Sequence, residues 1–392
     1  MPVNFQQVYT RVREIAESAH DNKKILEQRR ILARQFLAAY GSELEYLYEK
    51  VERAKESDAN IRCALPLTET LASVYPPPVS VSEATIIAVD GSQVNPDRHT
   101  AIQFCVINVG VIAMKLKSGV APSVTVDTEI LYGDELQPNG NPLSDGMVAL
   151  KRDISERIKV AELSEEIDGS VVTFTDGPIE LWGVKGDDPQ MHSNFVEEYI
   201  RVLSRLQSNG VVMAGYVDKP AANFITRLLE IAAADDDQIR NLKDYHPLLG
   251  VTDLWLYGER SNPLIPPGYR SAVFGLQSSS ERKYQGAFSL QFFYLNVGTQ
   301  GNPYPVRVDI PKWVSDDPKK LDLLHRVLIE QCQMMGSRPY PYLLHRAHEI
   351  AVVRYEEKDQ VEQLLALEFR RFRAEVGDTS NKSSAKALKV HR

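Results

Sequence analysis

The sequence predicts an α/β fold built on one mixed sheet in the order βββαβαβ, and three observations predict it. β-Branched, apolar runs recur between Ala84 and Pro220 and are punctuated by Gly and Pro. The first three follow one another directly, as in an antiparallel meander, whereas the later ones alternate with segments whose apolar residues recur every three or four positions. Charged segments with helical spacing lie on both sides of this region.

Composition narrows the class. A chain of 392 residues with 43% apolar and 25% charged residues can bury a large core and is expected to fold. The formal charge of −8 excludes a broadly basic coat for nucleic acid but leaves room for a local basic groove. Cys63, Cys105 and Cys332 are far apart and form no CxxC pair, which argues against a disulfide framework or zinc finger and for a reducing cytoplasm. The N-terminus lacks the apolar core of a signal peptide, and no apolar run approaches membrane-spanning length, so a soluble cytoplasmic protein without membrane contact is expected.

Residues 4 to about 55 read as one or two long amphipathic helices that need a surface to pack against. The prolines of "SVYPPPVSVSE" (73–83) cannot continue a helix or central strand and mark a boundary. Strands follow at "TIIAVD", 100–116 and 123–132. The segment 144–167 opens on a Ser-Asp cap signal and reads as a helix. A strand at 169–178, a helix at 195–207 and a strand at 210–220 complete the order of the ribonuclease H-like fold.

Residues 221–300 read as an insertion carrying a helix ("AANFITRLLEIAAA"), a solvated acidic turn at Asp235–Asp237, a Pro-rich loop and the strand "AFSLQFFYLNVG". A strand at 304–311 and a helix at 318–335 come next. A helix opened by "RPYPYLLHRAHEIAVV" and a charged helix to about Phe372 end the ordered pattern. The expected organisation is an N-terminal helical region 1–80, a ribonuclease H-like domain 84–352, a C-terminal helix 353–376 and a disordered tail 377–392.

Asp90 and Asp176 each follow an apolar strand and precede Gly. Asp-Gly on its own usually starts a turn. On neighbouring central strands, however, the two acids would put two carboxylates at one edge of the sheet, where they repel unless a cation lies between them. Glu156 shares a second, half-apolar stripe of the 144–167 helix with Ala149, Val160, Leu163 and Ile167, and so points toward protein; Glu162 is its rival. Tyr340, His345 and His348 gather at a helix start, with Pro341 in the first turn. Either histidine alone would more often be structural than a ligand.

The segments "IIAVDGS", "VVTFTDGPIELW", "VRVDIPKW" and "YPYLLHRAHEIA", in this order, resemble the signature segments of NurA-type nucleases over roughly residues 84–352. The resemblance implies a ribonuclease H-like fold with a manganese-dependent site that degrades DNA from 5′ to 3′. It also implies a homodimer working with a HerA-type hexameric ATPase in DNA end resection. Carried over position by position, Asp90 stands at the first-strand acid and Asp176 at the acid before Gly in the later strand. Tyr340 and His348 fall on the C-terminal motif, and Glu156 in "RDISE" is the chosen helix acid.

The chemistry of these residue types agrees. Two divalent ions, manganese or alternatively magnesium, can activate water and stabilise the leaving oxygen of a phosphodiester. Asp90 would bridge them, Asp176 and Glu156 would each complete one shell, and His348 would add an imidazole, a ligand that manganese accepts more readily than magnesium. Tyr340 would hydrogen-bond the scissile phosphate or a metal-bound water. Lys219 and Arg270 are candidate DNA phosphate contacts, with an ordinary surface role as the alternative. Two competing readings are a non-catalytic adaptor that docks a HerA-type translocase, and a nuclease for RNA or branched DNA.

Overall fold

The computed structural model describes residues 3–80, 83–181 and 189–373; the expected tail 377–392 lies outside them. The chain opens with α1 (Phe5–Tyr40), α2 (Leu44–Ser57), β1 (Cys63–Leu65) and β2 (Val74–Tyr75). β3 (Ala84–Val94), β4 (Phe104–Lys115), β5 (Ser123–Tyr132), α3 (Asp145–Glu165), β6 (Ser170–Asp176), α4 (Pro189–Ser208) and β7 (Val212–Val217) follow. Then come α5 (Phe224–Ala233), α6 (Asp236–Arg240), α7 (Asp253–Gly258), β8 (Arg270–Ser271), β9 (Phe274–Gln277), β10 (Leu290–Asn296) and β11 (Pro305–Pro311). α8 (Lys312–Ser315), α9 (Pro318–Gln333), α10 (Tyr342–Ala351) and α11 (Tyr355–Arg371) end the described chain. Two compact units emerge, one from Met1–Ser80 with Tyr216–Pro339 and the other from Val81–Gly215 with Tyr340–Arg392.

The second unit holds the meander. β4 pairs antiparallel with β3 and with β5, β6 runs parallel to β3, and β7 lies beyond β6. With α3 and α4 as the crossovers, this is the ribonuclease H-like α/β arrangement. Ile86, Ile87, Ala88, Val89, Val172 and Phe174 are buried on β3 and β6, as expected of strands covered on both faces. α3 begins where the Ser-Asp signal places it, with the Ser144 hydroxyl accepting from the Met147 N–H at 3.1 Å.

Two boundaries differ from the sequence reading. β3 does not stop at Asp90. Its ladder with β4 continues from Thr85↔Lys115 through Asp90↔Gly110 to Val94↔Val106, and these paired backbone groups override the turn tendency of Asp-Gly. α4 begins at Pro189 rather than 195, because proline suits a first helical turn and the polar residues after it extend the helix beyond its apolar stripe.

α10 returns from the far end of the sequence to lie on β3 and β4. A Cβ at Gly110 would sit 2.7 Å from the Ala351 backbone nitrogen, so only glycine admits this approach. The Ala351 carbonyl accepts from Asn108 Nδ2 at 2.8 Å and from the Ser92 hydroxyl, and Ser92 Oγ accepts from the Val353 N–H at 3.0 Å.

In the first unit, β1, β9, β10 and β11 form an antiparallel series, and β8 pairs with β10 and β2. Its core joins Leu47 and Val51 of α2 to Leu228 of α5, Tyr257, Phe274, Phe292 and Tyr294. The buried Asp253 carboxylate fixes this core by accepting from the N–H groups of Ile225 and Thr226 and from the Tyr294 hydroxyl, at 2.8–3.0 Å. The expected insertion is thus a folded unit that the N-terminal helices complete. The acidic turn begins α6, with the Asp235 side chain accepting from the Gln238 N–H at 2.8 Å.

Candidate active site

The site lies in the second unit and is built on Asp90. Ile86, Ile87, Ala88 and Val89 are sealed in the core, and the next side chain on β3 reaches the edge of the sheet with 17% of its surface exposed. There His348 Nδ1 donates to Asp90 Oδ2 at 2.7 Å. Leu343, Leu344, Ala347 and Ala351 bury the adjoining face of α10 and hold this histidine over β3. His348 keeps 63% of its side chain exposed. His345, the alternative, faces Glu349 at 3.6 Å instead.

Gly91 explains how α3 joins the site. A Cβ at this position would lie 2.7 Å from Arg152 Cγ and 2.7 Å from Glu156 Oε1, so the glycine is a contact surface for the helix. Glu156 is 4% exposed. Burial pushes its carboxyl up to about 8; Asp153 and Asp90 push in the same direction, and Arg157 and Arg152 oppose them. Arg157 donates to Glu156 Oε2 at 2.6 Å and to Thr175 Oγ1 at 3.0 Å, tying α3 to β6. Glu162 is half-exposed and pairs with Lys159, away from β3.

Asp176 closes β6. The parallel register Val89↔Thr175 brings Asp90 and Asp176 level at the next position, on strands whose spacing is about 4.8 Å. Its side chain is exposed, and Gly177 turns the chain with φ +83°. Tyr340 is half-buried immediately before α10. The structure therefore brings Asp90, His348 and Glu156 around one point of β3, sets Asp176 beside them by register, and puts Tyr340 at the start of the helix that carries His348.

The two candidate DNA contacts fare differently. Lys219 is exposed, with φ +45°. Arg270 is corrected: it is 6% exposed, its guanidinium stacks 4.1 Å from the Tyr75 ring centre, and it donates to the Ser271 carbonyl at 2.8 Å. Neither a phosphate contact nor a surface role suits it, because the apolar stem and the aromatic ring together bury it in the first unit. Two residues escaped the sequence reading: Arg152, whose Nη2 donates to Asp153 Oδ1 at 2.7 Å, and Asp153 itself. The signal was present in "RDISE", where positions 152 and 156 share a helix face.

The donor set suits a hard divalent cation. Carboxylates with one imidazole match manganese or magnesium, and burial, which raises the Glu156 carboxyl, disfavours its charged form unless a cation lies near it. Among the described residues, no three His, Cys, Asp or Glu side chains close into a ready-made cage. Asp90, Glu156, Asp176 and His348 are the groups that would hold such ions.

No curated protein matches the chain in sequence. Among solved structures, the NurA nuclease from Sulfolobus solfataricus is 13% identical, with 93% of this chain and 97% of that one covered at a TM-score of 0.49. The catalytic domain of human endonuclease V is 13% identical, covering 82% and 98% at 0.33, and Drosophila Piwi is 14% identical, covering 68% and 29% at 0.29. These are weak likenesses. The family model of the NurA domain matches residues 84–353, well over half of the chain and spanning both Asp90 and His348. The chain belongs to the NurA domain family.

Proposed function

We propose that this protein is a metal-dependent deoxyribonuclease that hydrolyses phosphodiesters at the Asp90 site. The observation that carries the reading is the 2.7 Å hydrogen bond between Asp90 and His348, which joins a β3 acid to a histidine from the far end of a NurA domain. Divalent ions, manganese first and magnesium as the alternative, would activate water and stabilise the leaving oxygen. Asp90 would bridge two ions; Asp176 and Glu156 would each complete one shell. His348 would take part through its exposed ring, with Nδ1 held by Asp90. Tyr340 would hydrogen-bond the scissile phosphate, and Lys219 would contact the backbone.

The finer terms of the proposal follow family membership: 5′ to 3′ exonuclease action with single-strand endonuclease activity, DNA end resection and repair, a homodimer, and a HerA-type hexameric ATPase as partner. A cytoplasmic location belongs with them and is supported by three buried, free cysteines. No described helix is long and apolar enough to cross a membrane. The test is digestion of linear DNA with manganese and with magnesium, on wild type and Asp90→Ala in parallel. The reading expects cleavage by wild type alone. Full activity in Asp90→Ala would overturn it, and translocase binding without any metal-dependent cleavage would favour the adaptor.

A further inference from the structure

The α3 face that meets β3 carries a cation for which the proposed hydrolysis has no use. Arg152 lays its stem over Gly91. Its Nη2 donates to Asp153 Oδ1 at 2.7 Å, its Nη1 to Gln93 Oε1 at 3.3 Å, and its Nε lies 3.5 Å from Glu156 Oε1. That Nε is buried and has no hydrogen-bond partner, an arrangement that native structures rarely tolerate without a reason. Burial works against the guanidinium charge, but Asp153, Glu156 and Asp90 together more than offset it. The side chain retains 28% exposure, so it stands at the mouth of the site.

Its neighbour is different. Arg157 is 3% exposed, tied to Glu156 Oε2, to Thr175 Oγ1 and to the Asp153 carbonyl, and acts as a fixed counter-ion. Glu156 thus has one buried cation and one partly exposed cation beside it.

We propose that Arg152 is an internal stand-in for a divalent cation: in the metal-free protein its guanidinium pairs with the Asp153 carboxylate and offsets that of Asp90 beside Glu156, and ion binding displaces it toward solvent. This rests on the reading of the Asp90 site as a divalent-cation site. The physical reason is that two positive charges a few ångström apart repel strongly in a partly buried site, whereas a long arginine with a solvent-facing end can leave without unfolding anything. The ion cage then needs a modest rearrangement to close, and Arg152 sets how tightly the ion is held.

The test reads ion binding rather than cleavage. Full-length wild type, Arg152→Gln and Arg157→Gln are titrated with MnCl2 by calorimetry, and their thermal unfolding is followed with and without the ion. Arg152→Gln is expected to bind Mn2+ about tenfold more tightly, because one competing positive charge is gone. Its unfolding midpoint should be lower without the ion and should rise further with it than that of wild type. Arg157→Gln should unfold at a lower temperature whether or not the ion is present. Arg152→Met, which keeps the stem over Gly91, takes the place of the glutamine variant if that does not fold. Unchanged or weaker Mn2+ binding in the Arg152 variants, with the same ion-induced shift as wild type, would overturn the proposal and leave an ordinary structural ion pair. Absence of Mn2+ binding by wild type itself would instead sink the metal-site reading on which the proposal stands.

Discussion

Asp90-Gly91 and Asp176-Gly177 carry the same dipeptide after the same kind of apolar strand, yet the structure uses them differently. Gly177 has φ +83° and nothing within 4 Å of where a Cβ would lie, so it is a turn glycine. Gly91 lies inside β3, paired on through Val94, and its missing Cβ makes room for Arg152 and Glu156. The first glycine serves packing and the second serves backbone conformation. Each nevertheless delivers a carboxylate to the same edge of the sheet, because β3 and β6 are parallel and in register there. Identical local sequence is therefore weak evidence for identical local structure, while strand pairing is strong evidence for a shared site.

The largest expected effect separates the two acids by function. Asp90 contacts His348 and lies beside Glu156, so Asp90→Ala should bring metal-dependent DNA cleavage to background. Asp176→Ala, which removes one exposed end-of-strand carboxylate, should leave residual cleavage at high ion concentration. A nuclease titration over MnCl2 concentration measures this, and the same loss in both variants at every concentration would break the asymmetry.

The glycines come next. Gly91→Ala places a methyl group 2.7 Å from Arg152 Cγ and Glu156 Oε1 and should destabilise the protein by about 1–3 kcal/mol through overpacking. It should also weaken ion binding by moving Glu156. Gly177→Ala should cost about 1–2 kcal/mol through left-handed backbone strain, and Gly177→Asn less, with the α3 contacts unchanged. Urea unfolding with parallel ion titration distinguishes the two mechanisms.

A smaller effect concerns pH. The Glu156 carboxyl has an ordinary value of 4.5 and is raised to about 8 in the folded protein. Between those values the folded state holds the extra proton, so metal-free stability should fall as pH rises through that window. Glu156→Gln should flatten this slope. An unchanged slope, measured by unfolding at pH 5 and pH 8, would show that other groups set it.

Much of this was legible in the sequence, for reasons that can be named. The meander and crossovers were readable because β3, β4, β6 and β7 are apolar and β5 is rich in β-branched residues, and the α3 cap because Ser144 and Asp145 open a clear helical period. The burial of Glu156 was readable because helix geometry places it with buried neighbours, whereas Glu162 is exposed. The run of β3 past Asp90 was not legible, since the ladder that sustains it comes from β4. The burial of Arg270 was equally hidden, because it depends on Tyr75, far away in sequence. Residues 221–300 read as an insertion because their core is completed by α2 and β1, so their local pattern is that of half a unit. Arg152 was overlooked because an arginine on an amphipathic helix looks like solvated surface until the glycine beneath it is placed.

The most direct measurement of the central claim is ion stoichiometry. Mn2+ binding by electron paramagnetic resonance titration of wild type, Asp90→Ala and Asp176→Ala should give two ions per chain, none bound tightly, and one, respectively. Wild-type stoichiometry in Asp90→Ala would contradict the assignment of Asp90 as the carboxylate on which the site is built.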